Sequence, residues 1–156
     1  MIDDLDQIMS VMVAAFDPQW GEAWTRRQVS DSLVFPQTHY RLMDSDKRSP
    51  QNGDHASGFT LVRAAPGEEE LLLVGVIPEA RGRGLGEALI AQAIADAQDR
   101  RADRLFLEAR ENNPAIALYR RMGFEAIGAR KQYYRASDGR KLDAITFAYK
   151  IPPHGK

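Results

Sequence analysis

Leu71-Leu72-Leu73-Val74-Gly75-Val76-Ile77-Pro78, followed after two residues by Arg81-Gly82-Arg83-Gly84-Leu85-Gly86, is the stretch that decides how this chain folds. The run from Leu71 to Ile77 is apolar without a break, the pattern of a central strand covered on both faces. Gly75 inside it marks a bulge or a close backbone approach, and Pro78 ends it. The glycines that follow let the main chain turn sharply and bring several N–H groups onto a phosphate. Beyond them Leu85, Leu89, Ile90, Ala93, Ile94 and Ala97 form one stripe of an amphipathic helix reaching about Arg101. The start of such a helix favours an anion through its unsatisfied N–H groups and its dipole. Arg81 and Arg83 can neutralise a diphosphate at the rim. A glycine-rich turn with arginines is as often purely structural; its position between apolar strand and amphipathic helix is what favours phosphate. The spacing is neither the dinucleotide G-x-G-x-x-G nor the P-loop G-x-x-x-x-G-K-[ST].

Working outward, Ile2, Leu5, Ile8, Met9, Met12, Val13 and Phe16 predict an amphipathic helix closed before Pro18. A weaker helix spans about Gly21 to Leu33, and His39 to Met43 reads as a strand. Asp44 to Ala56 is polar and rich in turn formers, hence an exposed loop. Gly58 to Arg63 and Glu70 to Ile77 form a hairpin around Pro66-Gly67. Leu105 to Arg110 is a further strand, and Asn113-Pro114 opens a short helix that Gly123 stops. Phe124 to Tyr134 and Asp143 to Lys150 are the last two strands, about an Asp138-Gly139 turn. This order predicts an α/β (α+β) sheet sandwiched by helices, in a single domain over 1–156.

Of the 156 residues 44% are hydrophobic and 28% charged, as in an ordinary folded domain. A net charge of −1 gives no global field toward nucleic acid or an anionic membrane. With no cysteine there is no disulfide, zinc-thiolate site or thiol nucleophile, and His39, His55 and His154 share no metal-binding spacing. The N-terminus lacks a signal-peptide pattern, and no apolar run approaches a membrane span. The expectation is a cytoplasmic protein without a metal, a membrane or direct nucleic-acid contact.

Val76-Ile77-Pro78 with Arg81 to Gly86 resembles the acetyl-coenzyme A motif of the GCN5-related N-acetyltransferase (GNAT) superfamily. That motif is Arg/Gln-x-x-Gly-x-Gly/Ala, matched by Arg81, Gly84 and Gly86. The likeness continues through Leu107-Glu108-Ala109-Arg110-Glu111-Asn112-Asn113, Ala117-Leu118-Tyr119, Met122-Gly123-Phe124, Tyr133-Tyr134 and Asp143-Ala144. Together these are similar to the RimI-type ribosomal-protein-alanine N-acetyltransferases. It is strong from about Leu71 to Ile151 and vague before that, where Trp20-Gly21-Glu22 is loosely similar to a tryptophan ahead of the second helix. The loop from Asp44 to Ala56 looks longer than theirs.

The resemblance implies the GNAT fold: a mixed, mostly antiparallel sheet of six to seven strands, flanked by about four helices. It further implies a splay between the fourth and fifth strands, here those ending near Ile77 and Arg110. Acetyl-coenzyme A would be the co-substrate, with its phosphates on Arg81, Gly82, Arg83, Gly84, Leu85 and Gly86. The pantetheine arm would pair with backbone groups of Val76 and Ile77 and bond Asn113, for which a plain helix cap is an equal reading. The acceptor would be the N-terminal α-amine of an alanine, on a small-subunit ribosomal protein, received near Tyr133 and Tyr134. The enzyme would be a monomer or weak dimer.

Acetyl transfer must leave the attacking nitrogen neutral and return a proton to the departing thiolate. Glu108, polar in an apolar strand, is the candidate base, its pKa raised by burial; the plainer reading pairs it with Arg110 or another arginine. Tyr119 is the candidate acid and a cofactor contact, or else a core tyrosine with its hydroxyl at the edge. Arg120, Arg121, Arg130 and Lys131 are ordinarily a solvated face, but could meet the 3′-phosphate or an acidic peptide. Trp20 and Trp24 read as core. Acetylation of a small amine or of lysine, and a non-catalytic acyl-coenzyme A-binding regulator, are the competing functions.

Overall fold

The computed structural model describes residues 3–51 and 54–153. Two positions used above, Ile2 and His154, lie outside them, as do Asn52 and Gly53 of the long loop. Helix α1 (Asp4–Ala15) starts where Asp3 accepts the N–H of Asp6. Helix α2 covers only Arg26–Leu33, shorter than its sequence pattern. Thr25 and Gln28 form a capping box that fixes its start, and a 3-10 turn, Pro18–Trp20, occupies the residues before.

The strands are β1 (Thr38–Met43), β2 (Gly58–Ala65), β3 (Glu68–Val76), β4 (Arg104–Arg110), β5 (Glu125–Arg135) and β6 (Lys141–Lys150). Helix α3 (Leu85–Asp99) joins β3 to β4, and α4 (Ile116–Arg121) joins β4 to β5. The six form one sheet in the order β1-β2-β3-β4-β6-β5, antiparallel except for β3 and β4. The parallel pairing ends at Leu71 opposite Leu107. Past that point the strands part, so in this chain the splay lies between the third and fourth of six strands.

Packing puts helices on both faces. Ile8, Val11 and Met12 of α1 and Val29 of α2 join Phe59, Leu61 and Leu73 in one buried cluster. Ile90, Ala93 and Ala97 of α3 and Tyr119 of α4 join Leu105, Leu107 and Phe147 in another. The apolar run of β3 therefore serves two cores, as its sequence predicts. The bulge is at Leu72, skipped where Leu61 pairs with Leu73 and Val62 with Leu71. Gly75 keeps regular register with Phe59. Its constraint is space: a Cβ there would lie 3.1 Å from the Phe59 ring and 3.3 Å from Ala15 and Phe16.

Candidate active site

A cavity of about 620 Å³ fills the splay, lined by Val74, Gly75 and Val76 on one side and by Arg110, Asn112 and Asn113 on the other. At one end lie Gly82, Gly84, Leu85 and Gly86; toward the other lie Trp20, Glu22 and Tyr119. Ile77, Arg83, Glu108, Tyr133 and Tyr134 are not on its wall.

The glycine end is built by backbone conformation. Gly82 and Gly84 sit at φ +77° and +82°, the left-handed region that side chains avoid. Gly84 caps α3 with no side chain, and the first bond of the helix runs from Ala88 N–H to Gly84 C=O at 3.0 Å. The first-turn N–H groups are thus left for an anion. From the long loop, Lys47 brings its ammonium to 3.1 Å from where a Cβ on Gly84 would stand. Asp44 shapes that turn by accepting the N–H groups of Asp46 and Arg48.

Arg81 differs from the expectation of a rim cation. Its Nε donates to the Val76 carbonyl at 3.0 Å and its Nη2 to the Ala15 carbonyl at 2.8 Å, so it braces the end of β3 against α1. This also divides the two backbone sites expected for an arm. Ile77 donates its N–H to Ser57 and accepts from Ala80, so both its groups are engaged inside the protein. Alternation along the antiparallel ladder turns Val76 away from β2, its C=O taken by Arg81 and its N–H toward the gap.

Asn113 acts as a turn residue: its Oδ1 accepts the Ala115 N–H at 2.9 Å and its carbonyl the Ile116 N–H. The helix proper begins at Ile116, two residues later than the sequence suggests. Asn113 still lines the cavity, with its side-chain N–H₂ uncommitted among the described residues. Tyr119 is 6% exposed. Burial, and next the charge of Glu22, push its pKa up to about 12. Among the described residues its hydroxyl has no hydrogen-bond partner, and the residue lines the cavity.

Glu108 is not the isolated, desolvated carboxylate of the sequence argument. Arg130 on β5 grips both its oxygens, with Nε to Oε2 at 2.9 Å and Nη2 to Oε1. Arg130 also lies 3.7 Å over the Tyr133 ring. The plainer reading named an arginine partner; the arginine is Arg130 rather than Arg110. Tyr133 is 53% exposed, and its ring meets that of Tyr134 edge-on at 5.3 Å. Burial, then Glu22 and Glu108, raise Tyr134 to about 12. The pairing of β5 with β6 shifts register between Arg130 and Tyr134, the stretch that carries Tyr133. Of the other basic residues, Arg121 faces Glu87 at 3.8 Å and Lys131 faces Asp143 at 3.5 Å.

Sequence reading missed the group on the cavity wall opposite β3. Arg110 is 6% exposed; it stacks 4.1 Å over Trp20, donates to Asn112 Oδ1 and meets Glu22 Oε1 at 3.2 Å. Its Nε is buried without a partner. One signal was available, a second charged residue at the i, i+2 position after Glu108, on the face opposite Leu107 and Ala109. Trp20 is likewise a cavity residue rather than core.

Residues 6–124 match the acetyltransferase (GNAT) family. The ribosomal protein bS18-alanine N-acetyltransferase of Escherichia coli K12 is 38% identical over 102 residues, covering 65% of this chain and 68% of that protein. The N-alpha-acetyltransferase RimI of Mycobacterium tuberculosis is 32% identical over 121 residues, 74% of this chain and 70% of that protein. Among solved structures, the ribosomal-protein-S18-alanine N-acetyltransferase from Escherichia coli superposes with a TM-score of 0.80 at 28% identity, covering 98% and 91% of the two chains. No helix among the described residues is long and apolar enough to cross a membrane.

Proposed function

Since the chain belongs to the acetyltransferase (GNAT) family and is an N-acetyltransferase similar to RimI, we propose that it moves the acetyl group of acetyl-coenzyme A onto the N-terminal α-amine of an alanine, on a ribosomal protein of the bS18 kind in the cytoplasm. The observation that carries this reading is the cleft at the splay, which runs from an anion-ready glycine loop to Tyr119 and Glu22. The residues fit the donor. The first turn of α3, with Lys47 above it, suits a diphosphate, while the Val76 N–H and the Asn113 amide suit an extended amide-bearing arm. When bound, acetyl-coenzyme A supplies an activated acyl group and a thiolate leaving group.

The proton chemistry falls to this chain's own residues. Glu108 takes the acceptor's proton, directly or through water, beside Tyr133 and Tyr134. The cost of neutralising the amine bears on the acceptor. Neutralising an α-amine of reference pKa about 8 at pH 7 costs roughly 1.4 kcal/mol, against roughly 4.6 for lysine. The first needs far less help from a base than the second. At about 12, Tyr119 stays protonated through any working pH. Full transfer of its proton to a thiolate of reference pKa about 8.5 would cost on the order of 5 kcal/mol. Its part is then to donate a hydrogen bond to the developing thiolate, which leaves as coenzyme A thiolate and takes its proton from solvent.

The test offers acetyl-coenzyme A with three acceptors: an alanyl peptide, a lysine peptide blocked at its N-terminus, and a polyamine. Mass spectrometry should find the acetyl group on the alanine amine, and modification of lysine or polyamine alone would reverse the choice of acceptor.

A further inference from the structure

We propose that Glu22 is the carboxylate that binds the acceptor's α-ammonium group, with Arg110 holding it in position; this rests on the acceptor reading above. Among the described residues three carboxylates line the cleft: Asp17, Glu22 and Glu87. Asp17 caps a turn by accepting the Gln19 N–H, and Glu87 lies at the glycine end opposite Arg121. Glu22 is the one whose charge reaches both Tyr119 and Tyr134, so it marks the meeting of the thioester end with the acceptor end.

Its hydrogen bonding is incomplete. The side chain is 16% exposed and accepts a single bond, from Arg110 at 3.2 Å to Oε1. Among the described residues Oε2 has no partner. A carboxylate has about four acceptor positions, and withdrawing it from water is costly unless cations and donors fill them. Arg110 cannot supply more: one Nη is spent on Asn112, the plane is stacked on Trp20, and Nε is buried without an acceptor. Glu108, in contrast, has both oxygens taken and stands off the wall. An ammonium group brings a positive charge and three N–H donors, the complement that Oε2 lacks. The two carboxylates then divide the work: Glu22 holds the amine in the cleft, and Glu108 accepts its proton.

Calorimetry on the protein preloaded with coenzyme A tests this, at about pH 6.5 where the amine is charged. An alanyl peptide is compared with the same peptide carrying propionyl in place of alanyl, which lacks only the ammonium. Wild type should prefer the alanyl peptide by on the order of tenfold or more, the scale of a charge-assisted hydrogen bond. Glu22→Gln should abolish the preference and leave coenzyme A affinity unchanged, and Glu22→Asp should keep part of it. In steady state Glu22→Gln should raise the acceptor KM with little change in kcat. Equal binding of the two peptides by wild type overturns the proposal without any variant, as does a Glu22→Gln enzyme that retains the preference. An alanyl peptide that wild type neither binds nor acetylates overturns the acceptor reading itself.

Discussion

Glu108 and Tyr119 are the residues whose environments depart most from what their place in the sequence suggests. The alternation Leu105-Phe106-Leu107-Glu108 locates the carboxylate on the right face, but Arg130 arrives because β6 pairs with β4 on one side and β5 on the other, an arrangement without a local signature. Glu108→Gln should lower kcat by at least tenfold while coenzyme A affinity stays near wild type, general-base contributions being about 10² to 10⁴; undiminished turnover would remove Glu108 from the proton path. Tyr119 has a consequence in pH. Because its phenol is raised to about 12, first by burial and then by Glu22, kcat/KM should climb through the amine's titration and stay level to about pH 10. A descending limb between about pH 8 and 10 that disappears in Tyr119→Phe would mean that the phenol ionises in that range. Arg110, Trp20 and Glu22 were the least legible. They gather only once the segment after α1 folds across the end of β4, a contact between residues far apart in sequence.

The glycine loop was legible because its chemistry is local. Gly82 and Gly84 need left-handed backbone, and the stripe beginning at Leu85 fixes where the helix starts. Gly84→Val should weaken coenzyme A binding by tenfold or more, since it adds backbone strain of about 1–2 kcal/mol and brings a Cβ against Lys47; calorimetry reads this directly, and unaltered affinity would put the phosphates elsewhere. Helix boundaries were less legible where side-chain caps compete: Thr25 with Gln28 delays α2, and the Asn113 turn delays α4. The bulge fell at Leu72 rather than Gly75, because glycine permits a bulge without requiring one and the room beside Phe59 was needed instead. Arg81 likewise serves an element, tying β3 to the C-terminus of α1.

Across the whole molecule, two helical layers and one sheet were readable from periodicity, and the parting of β3 from β4 from family resemblance alone. Leu89, fully buried between α3 and the sheet, should destabilise the fold by about 2–5 kcal/mol when cut to alanine; denaturant melts measure it. Alkali should act globally too. Tyr40, Tyr119 and Tyr134 are each raised to about 12, Tyr40 through its bond to Asp4 and the other two chiefly by burial. The folded chain therefore holds protons that the unfolded chain releases near pH 10, so their contribution to stability is full below about pH 10 and lost as pH rises toward 12. Melts between pH 9 and 12 should reveal that loss.

By this reading the gap between β3 and β4 is the seat of the donor. A crystal structure with acetyl-coenzyme A tests it most directly. The diphosphate should lie against the N–H groups of Gly82 to Gly86, the arm between Val76 and Asn113, and the thioester beside Tyr119. Full occupancy of the ligand anywhere else, with this gap closed by side chains, would contradict it.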